Sequence, residues 1–315
     1  MARETEVKYE EEFVLNSRGM KLLASRWLPV NETPKALVFL CHGYAMECSI
    51  TMNSTATRIA KAGFAVYGLD YEGHGKSDGL LGLVMNFDSV IDDCSHYFTI
   101  ISEKPENKKK MRYLLGESMG GAVALLLHRK KPEYWDGAIL VAPMCKIADE
   151  IKPNPMVVSV LSALSKVIPT WKLVPTEDII DVAFKVPEVR EQIRENQYCY
   201  KGKPRLRTGY ELLRISTEIE QRVHEVSLPF MVMHGEEDKV TDISVSKQLY
   251  EEASSSDKVL KLYPGMWHGL LYGEPSENLK IVFSDIIGWL EERSRYGNTR
   301  IERELKEHNE VLVKS

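Results

Sequence analysis

The sequence has few cysteines, no excess of basic residues and no long uninterrupted hydrophobic run. Its five cysteines are odd in number and show no C-x-x-C spacing, which predicts buried free thiols and no metal site. The formal net charge of −5 provides no basic surface for a phosphate backbone, so we expect no nucleic-acid partner. Residues 1–7 are polar and lack the apolar segment of a secretion signal or anchor, which predicts a cytoplasmic location.

Apolar runs without polar alternation recur along the chain and predict strands that are covered on both faces. Two candidate antiparallel strands, Phe13–Leu15 and Lys21–Trp27, come first. Because helix-forming stretches separate the later runs, we predict an α/β fold with a mostly parallel, doubly wound sheet. The six candidate parallel strands are Lys35–Cys41, Ala65–Asp70, Met111–Gly116, Gly137–Pro143, Phe230–Gly235 and Val259–Tyr263.

One segment, residues 144–226, has no strand signal and contains prolines between short helical patterns. We interpret it as a helical cap inserted between two parts of the core, 1–143 and 227–296, with a charged tail at 297–315. The stretch Met156–Ile168 within the cap is unusually apolar for a surface insertion. It could wall an acyl pocket or make transient membrane contact, or it could simply pack on the sheet domain.

The most informative motif is Gly116-Glu117-Ser118-Met119-Gly120, which follows an apolar strand and precedes a helix-forming run. That context is typical of a nucleophile elbow, in which glycines allow a tight turn and a strained serine presents its hydroxyl. We therefore predict Ser118 as a catalytic nucleophile. The chemistry of such a serine requires only side chains and backbone donors, so we expect no cofactor.

A serine nucleophile needs a histidine base and an acid, which follow it in that fold in the order serine, acid, histidine. His268 comes just after the last predicted strand, at the sheet edge where ligands of open α/β folds bind. The preceding strand ends in a turn with three carboxylates, of which we choose Asp238 as the acid and keep Glu237 as the alternative. His234 lies within a strand end, where a buried structural role is expected.

The negative charge that develops on the substrate carbonyl oxygen requires backbone N–H donors. Met119 would supply one because it follows the nucleophile, and Tyr44 would supply the second from the loop after the third strand. His42 precedes Ser118 in the chain, so we predict that it braces this loop. His74, in a glycine-rich turn, is also predicted to be structural.

Several motifs together resemble the α/β-hydrolase monoacylglycerol lipases from about residue 13 to residue 292. Cap segments around Tyr200–Arg205 and Glu211–Arg214 look like the plant branch, which includes caffeoyl shikimate esterase and lysophospholipase-like members. The resemblance implies an α/β-hydrolase fold and places the family's triad and oxyanion donors on the residues chosen above. The motifs that carry this resemblance are His42-Gly43, Gly73–Gly79, Gly116–Gly121, His234–Asp238 and Tyr263–His268.

These features predict a serine hydrolase that cleaves a small-molecule carboxylic ester through an acyl-enzyme, with a monoacylglycerol as the preferred substrate. Caffeoyl shikimate and a lysophospholipid are the alternative substrates. A different class of protein, a ligand receptor built on the hydrolase fold, is the alternative to an enzyme. The presence of competent side chains at all three triad positions favours the enzyme.

Overall fold

An eight-stranded sheet organises the computed structural model, which describes residues 6–145, 154–172, 178–295, 299, 300, 302, 303, 305, 306 and 309. The strand order is β1-β2-β4-β3-β5-β6-β7-β8. β1 and β2 pair antiparallel, β2 pairs antiparallel with β4, and all later pairs are parallel. The strands are β1 (Val7–Leu15), β2 (Lys21–Pro29), β3 (Leu37–Cys41), β4 (Ala65–Leu69), β5 (Arg112–Glu117), β6 (Gly137–Val141), β7 (Phe230–Gly235) and β8 (Lys258–Tyr263).

Two hydrophobic clusters cover the two faces of this sheet. In β3, Leu37, Phe39 and Cys41 belong to one cluster, whereas Val38 and Leu40 belong to the other, because successive side chains of a strand point to opposite faces. Helices cover both faces, which confirms the predicted doubly wound arrangement. The helices of the core are α1 (Asn53–Lys61), α2 (Phe87–Ser102), α3 (Met119–Lys130), α8 (Ile243–Glu252) and α9 (Ser276–Ser294).

Between β6 and β7 the described residues form helices and no strand, which is the arrangement proposed for the cap. α7 (Leu206–Gln221) packs against α2, α3 and α4 (Pro155–Val167). Residues 146–153 and 173–177 of the predicted cap, and most of the predicted tail, lie outside the described residues. The cap helices are α4 (Pro155–Val167), α5 (Ile179–Ala183), α6 (Pro187–Glu195) and α7 (Leu206–Gln221), and a short 3₁₀ helix at Val223–Glu225 follows them.

The first strand is longer than the sequence predicts. It begins at Val7 rather than Phe13, and most of its side chains are exposed because it lies at the edge of the sheet. No described helix combines the length and the hydrophobicity that crossing a bilayer requires. All five cysteines are buried and free, as predicted, and burial raises the pKa of Cys41 and Cys145 to about 12.

Candidate active site

Ser118 occupies a sharp turn between β5 and α3. Its φ of 54° lies in the left-handed region, which is strained for a residue with a side chain. A Cβ added at Gly120 would lie 1.8 Å from the carbonyl oxygen of Cys41, and one added at Gly116 would lie 2.2 Å from that of Gly120. The turn therefore requires glycine at both positions, and it holds the half-buried Ser118 at the carboxyl edge of the sheet.

The backbone of Ser118 is anchored on both sides of the turn. Its N–H donates to the carbonyl oxygen of Val141 at 2.9 Å, and its carbonyl oxygen accepts from the N–H groups of Gly121 and Met144, also at 2.9 Å. These bonds connect the strained residue to β6 and α3. The surrounding backbone therefore fixes the turn and with it the position of the Ser118 Cβ.

His268 and Asp238 form a hydrogen-bonded pair. Nδ1 of His268 lies 2.7 Å from Oδ2 of Asp238, and both side chains are buried. The other carboxylate oxygen of Asp238 accepts from the N–H groups of Val240 and Thr241 at 2.7 and 3.0 Å. Glu237, the alternative acid, is exposed. The structure thus brings Asp238, rather than Glu237, to the imidazole.

The negative charge of Asp238 and the positive charge of protonated His268 stabilise each other. Burial alone would raise the pKa of Asp238, but the charge of His268 and hydrogen bonds from His234 and His268 lower it below its usual range. Burial likewise disfavours the charged form of His268, yet the charge and hydrogen bond of Asp238 raise the net pKa of the imidazole. Asp238 is therefore an anion that favours proton uptake by His268.

A second histidine also contacts the acid. Nε2 of His234 lies 3.1 Å from Oδ2 of Asp238, and Nδ1 lies 2.7 Å from Oγ of Ser246. His234 is fully buried, as the sequence predicts for a structural histidine. Its contact with Asp238 was not predicted. The two residues are only four positions apart, His234 near the end of β7 and Asp238 in the turn that follows. Through this contact His234 fixes the orientation of the carboxylate.

The loop after β3 lies directly against the serine turn. A Cβ added at Gly43 would be only 3.6 Å from Cβ of Ser118, so the backbone of this loop runs close to that serine. The Tyr44 hydroxyl donates to the carbonyl oxygen of Gly82 at 2.9 Å, which fixes the side chain, and Ala45 has a left-handed φ of 67°. Met119 is the first residue of α3, so its N–H has no partner within the helix.

Two histidines near this loop have structural contacts. His42 is fully buried, its Nδ1 lies 2.8 Å from the carbonyl oxygen of Gly43, and its Nε2 accepts from the N–H of Tyr71 at 3.1 Å. His74 is also buried, and its ring lies 5.4 Å from that of His42. Burial lowers the pKa of both imidazoles, so each is neutral near pH 7. These contacts suit the bracing role expected for His42.

A cavity of about 310 Å³ opens above the serine turn. Ser118, His268 and Tyr44 all line it. Apolar side chains of α5, of Phe184 directly after it and of Ile193 in α6 form much of the wall. The cavity therefore brings a strained serine and a histidine together beside an apolar wall, a composition that suits an ester with an apolar acyl group.

The chain matches a family model described as serine aminopeptidase, S33, over residues 32–276. It is 34% identical to caffeoylshikimate esterase of Arabidopsis thaliana over 298 residues, which cover 92% of this chain and 90% of the relative. It is 29% identical to monoglyceride lipase of Homo sapiens over 286 residues, which cover 91% and 92% of the two chains.

Solved structures show the same fold. A soluble variant of monoglyceride lipase from Saccharomyces cerevisiae superposes with a TM-score of 0.77 at 21% identity, covering 92% of this chain and 95% of that one. The monoacylglycerol lipase of Paleococcus ferrophilus superposes with a TM-score of 0.75 at 21% identity, covering 87% and 100%. The chain therefore belongs to the serine aminopeptidase S33 family, has the α/β-hydrolase fold, and is a carboxylic ester hydrolase.

Proposed function

We propose that this enzyme hydrolyses monoacylglycerols, releasing fatty acid and glycerol, with Ser118, Asp238 and His268 as its catalytic triad. The observation that carries the proposal is the Asp238–His268 hydrogen bond beside a strained serine in one apolar cavity. His268, held with its Nδ1 proton towards Asp238, presents Nε2 as a base for the proton of Ser118.

The reaction follows in two similar halves. Oγ of Ser118 attacks the ester carbonyl carbon while His268 takes its proton, and the backbone N–H groups of Tyr44 and Met119 stabilise the resulting oxyanion. His268 then protonates the departing alcohol, which leaves an acyl group on Ser118. A water molecule, deprotonated by His268, attacks that acyl group, and His268 returns the proton to Oγ of Ser118 as the bond to the acyl group breaks and the fatty acid leaves.

The wall of the cavity supports a monoacylglycerol, because apolar side chains suit a fatty acyl chain better than a charged group. A second candidate is caffeoyl shikimate, favoured by the 34% identity to the Arabidopsis esterase. Lys201 and Lys203 are exposed residues that line the same cavity, and either could pair with the carboxylate of that ester or with the phosphate of a lysophospholipid.

A substrate panel tests this proposal. Purified protein is assayed with a monoacylglycerol, with caffeoyl shikimate and with a lysophosphatidylcholine, and the highest kcat/KM is expected for the monoacylglycerol. A double substitution, Lys201→Gln with Lys203→Gln, serves as the matched variant. It removes the two positive charges that line the cavity, so kcat/KM for a neutral substrate should not change. A higher kcat/KM for caffeoyl shikimate that falls in this variant would select the second candidate instead.

The activity should depend on pH through the imidazole. His268 must be neutral to accept the proton of Ser118, and Asp238 raises its pKa from an ordinary value of about 6.5. We expect kcat/KM to be constant at mildly alkaline pH and to decrease as the pH falls through the raised pKa of His268. Activity that stays constant down to about pH 5 would contradict imidazole as the base.

We also propose that the cap makes a peripheral membrane contact in a cytoplasmic enzyme. α4 carries apolar side chains that are 40–78% exposed and recur at the spacing of one broad helix face, and such a face can insert at a bilayer surface. The exposed apolar residues are Met156, Val157, Val160, Leu164 and Val167, followed by Trp171.

Vesicle binding tests this contact. A double substitution, Val160→Asp with Leu164→Asp, should weaken sedimentation with phospholipid vesicles by about tenfold or more, because it places two charges on the apolar face. Hydrolysis of a soluble short-chain ester should be unchanged. Ile281→Asp, which alters an exposed apolar residue of α9, is the matched control. Equal vesicle binding by the cap variant and the wild type would refute the contact.

A further inference from the structure

Glu117, which directly precedes the nucleophile, is a buried carboxyl group that the reaction described above does not use. Its side chain is almost fully buried, and it lines the cavity together with Ser118 and His268. One carboxyl oxygen, Oε2, accepts a hydrogen bond from the hydroxyl of Tyr272 at 2.9 Å. The other, Oε1, is buried and has no hydrogen-bond partner among the residues that the structure describes. Since an unpaired buried carboxyl oxygen is costly, its retention requires an explanation.

The Tyr272 hydrogen bond connects two parts of the active site. Tyr272 lies four residues after His268 in the segment between β8 and α9, whereas Glu117 ends β5. The bond therefore connects the segment between β8 and α9, which carries His268 and is called the histidine segment below, to the strand that directly precedes Ser118. Ring stacking of Tyr272 on Phe184, with centroids 5.5 Å apart, holds the tyrosine from the cap side.

We propose that Glu117 is a second positioning carboxylate for His268: it holds the histidine segment through Tyr272, and its negative charge favours the imidazolium that forms when Ser118 loses its proton. The proposal rests on the roles of Ser118 and His268 in the proposed function. Asp238 stabilises the same imidazolium from Nδ1, so the two carboxylates act on one cation. Glu117 does not take the proton of Ser118, which moves only to Nε2 of His268.

The electrostatics of the cavity agree with this geometry. Burial raises the pKa of Glu117 to about 7, while the charge of His268 and the Tyr272 hydrogen bond oppose that rise and the charge of Asp238 adds to it. Glu117 in turn contributes to the raised pKa of His268. Burial and Glu117 raise the pKa of the Tyr272 hydroxyl, and Cys199 in the cap and Glu47 in the loop after β3 raise it further. Protonation of His268 therefore favours the ionised form of Glu117, and each group promotes the charge of the other.

The test compares pH profiles of variants that separate charge from hydrogen bonding. Glu117→Gln keeps the volume and an acceptor for Tyr272 but removes the charge. Without that charge the pKa of His268 falls, so the acid limb of kcat/KM should move to lower pH by about half a unit or more. Activity at the alkaline plateau should decrease by about 3- to 30-fold. Glu117→Asp, which keeps the charge, should leave the acid limb at the wild-type pH.

The same profiles are measured for the rate of labelling by a fluorophosphonate probe, which reports proton transfer from Ser118 without a bound acyl substrate. Glu274→Gln is the matched control, since Glu274 is a buried carboxylate in the same segment that accepts from the N–H of Trp267 at 2.6 Å. It does not line the cavity, so any loss of activity should be equal at every pH.

An acid limb of Glu117→Gln that coincides with the wild type would overturn the proposal, as would an equal shift in Glu274→Gln. Failure of the catalytic roles of Ser118 and His268 would look different, because the wild type would then react with neither the probe nor the esters. Thermal unfolding of each variant verifies that the protein is folded. If Glu117→Gln does not fold, a shifted acid limb in Glu117→Asp becomes the overturning result.

Discussion

Replacing Ser118 with alanine is expected to lower kcat by about 10³-fold or more and to abolish labelling by a fluorophosphonate probe. Alanine lacks the oxygen that forms the acyl-enzyme, while the oxyanion donors and the cavity remain. The fold should persist because the Ser118 backbone bonds to Val141 and Met144 do not involve Oγ, and because alanine meets the same left-handed strain as serine. Steady-state kinetics and mass spectrometry of the labelled protein measure the two effects.

Ser276→Ala provides the control for this substitution. Ser276 is an exposed serine at the start of α9, outside the cavity, so its variant should retain both activity and labelling. Wild-type activity in Ser118→Ala, or labelling that persists there, would show that another group is the nucleophile. The strained turn would then need a different explanation.

Asp238→Asn is expected to reduce kcat by roughly 10⁴-fold. Oδ2 of Asp238 is within hydrogen-bond distance of the Thr241 hydroxyl, His234 Nε2 and His268 Nδ1, whereas Oδ1 accepts from backbone N–H groups. Asparagine would keep its oxygen at the backbone donors and place its amide N–H₂ where Oδ2 was. His268 would then accept at Nδ1 and carry its proton on Nε2, where it could not take a proton from Ser118.

Glu237→Gln is the paired variant for this prediction. It removes an adjacent but exposed carboxylate from the same turn, so its kcat should stay within about twofold of the wild type. The reverse outcome, with a large loss in Glu237→Gln and a small one in Asp238→Asn, would transfer the role of the acid to Glu237. Kinetics at a pH above the imidazole pKa separates this effect from a change in protonation of His268.

The central strands were predictable because burial on both faces requires an unbroken apolar run, and β3 to β7 all have one. The first half of β1 was not predicted, because an exposed edge strand such as Val7–Leu15 includes three consecutive glutamates and has no regular apolar alternation. Its position comes from pairing with β2, which is a long-range contact.

The site residues of the proposed triad were predictable because a fixed motif and a fixed chain order constrain them. The groups around them were not. His234 reaches Asp238, and Tyr272 reaches Glu117 over 155 positions of sequence separation, only because the sheet brings its carboxyl ends together. The burial of Glu117 could have been predicted, since a carboxylate beside the proposed nucleophile at the end of a buried strand is itself expected to be buried. The cap boundaries at residues 144 and 226 stay predictions.

The burial of all five thiols makes this enzyme convenient for site-specific fluorescence. Thiols with no access to solvent and a raised pKa react slowly with maleimides, so the wild type should take up little dye under native conditions. A cysteine introduced at Val167, which is 78% exposed at the end of α4, would then carry nearly all of the fluorophore. Its emission would report directly on the surroundings of the cap as substrate or lipid is added.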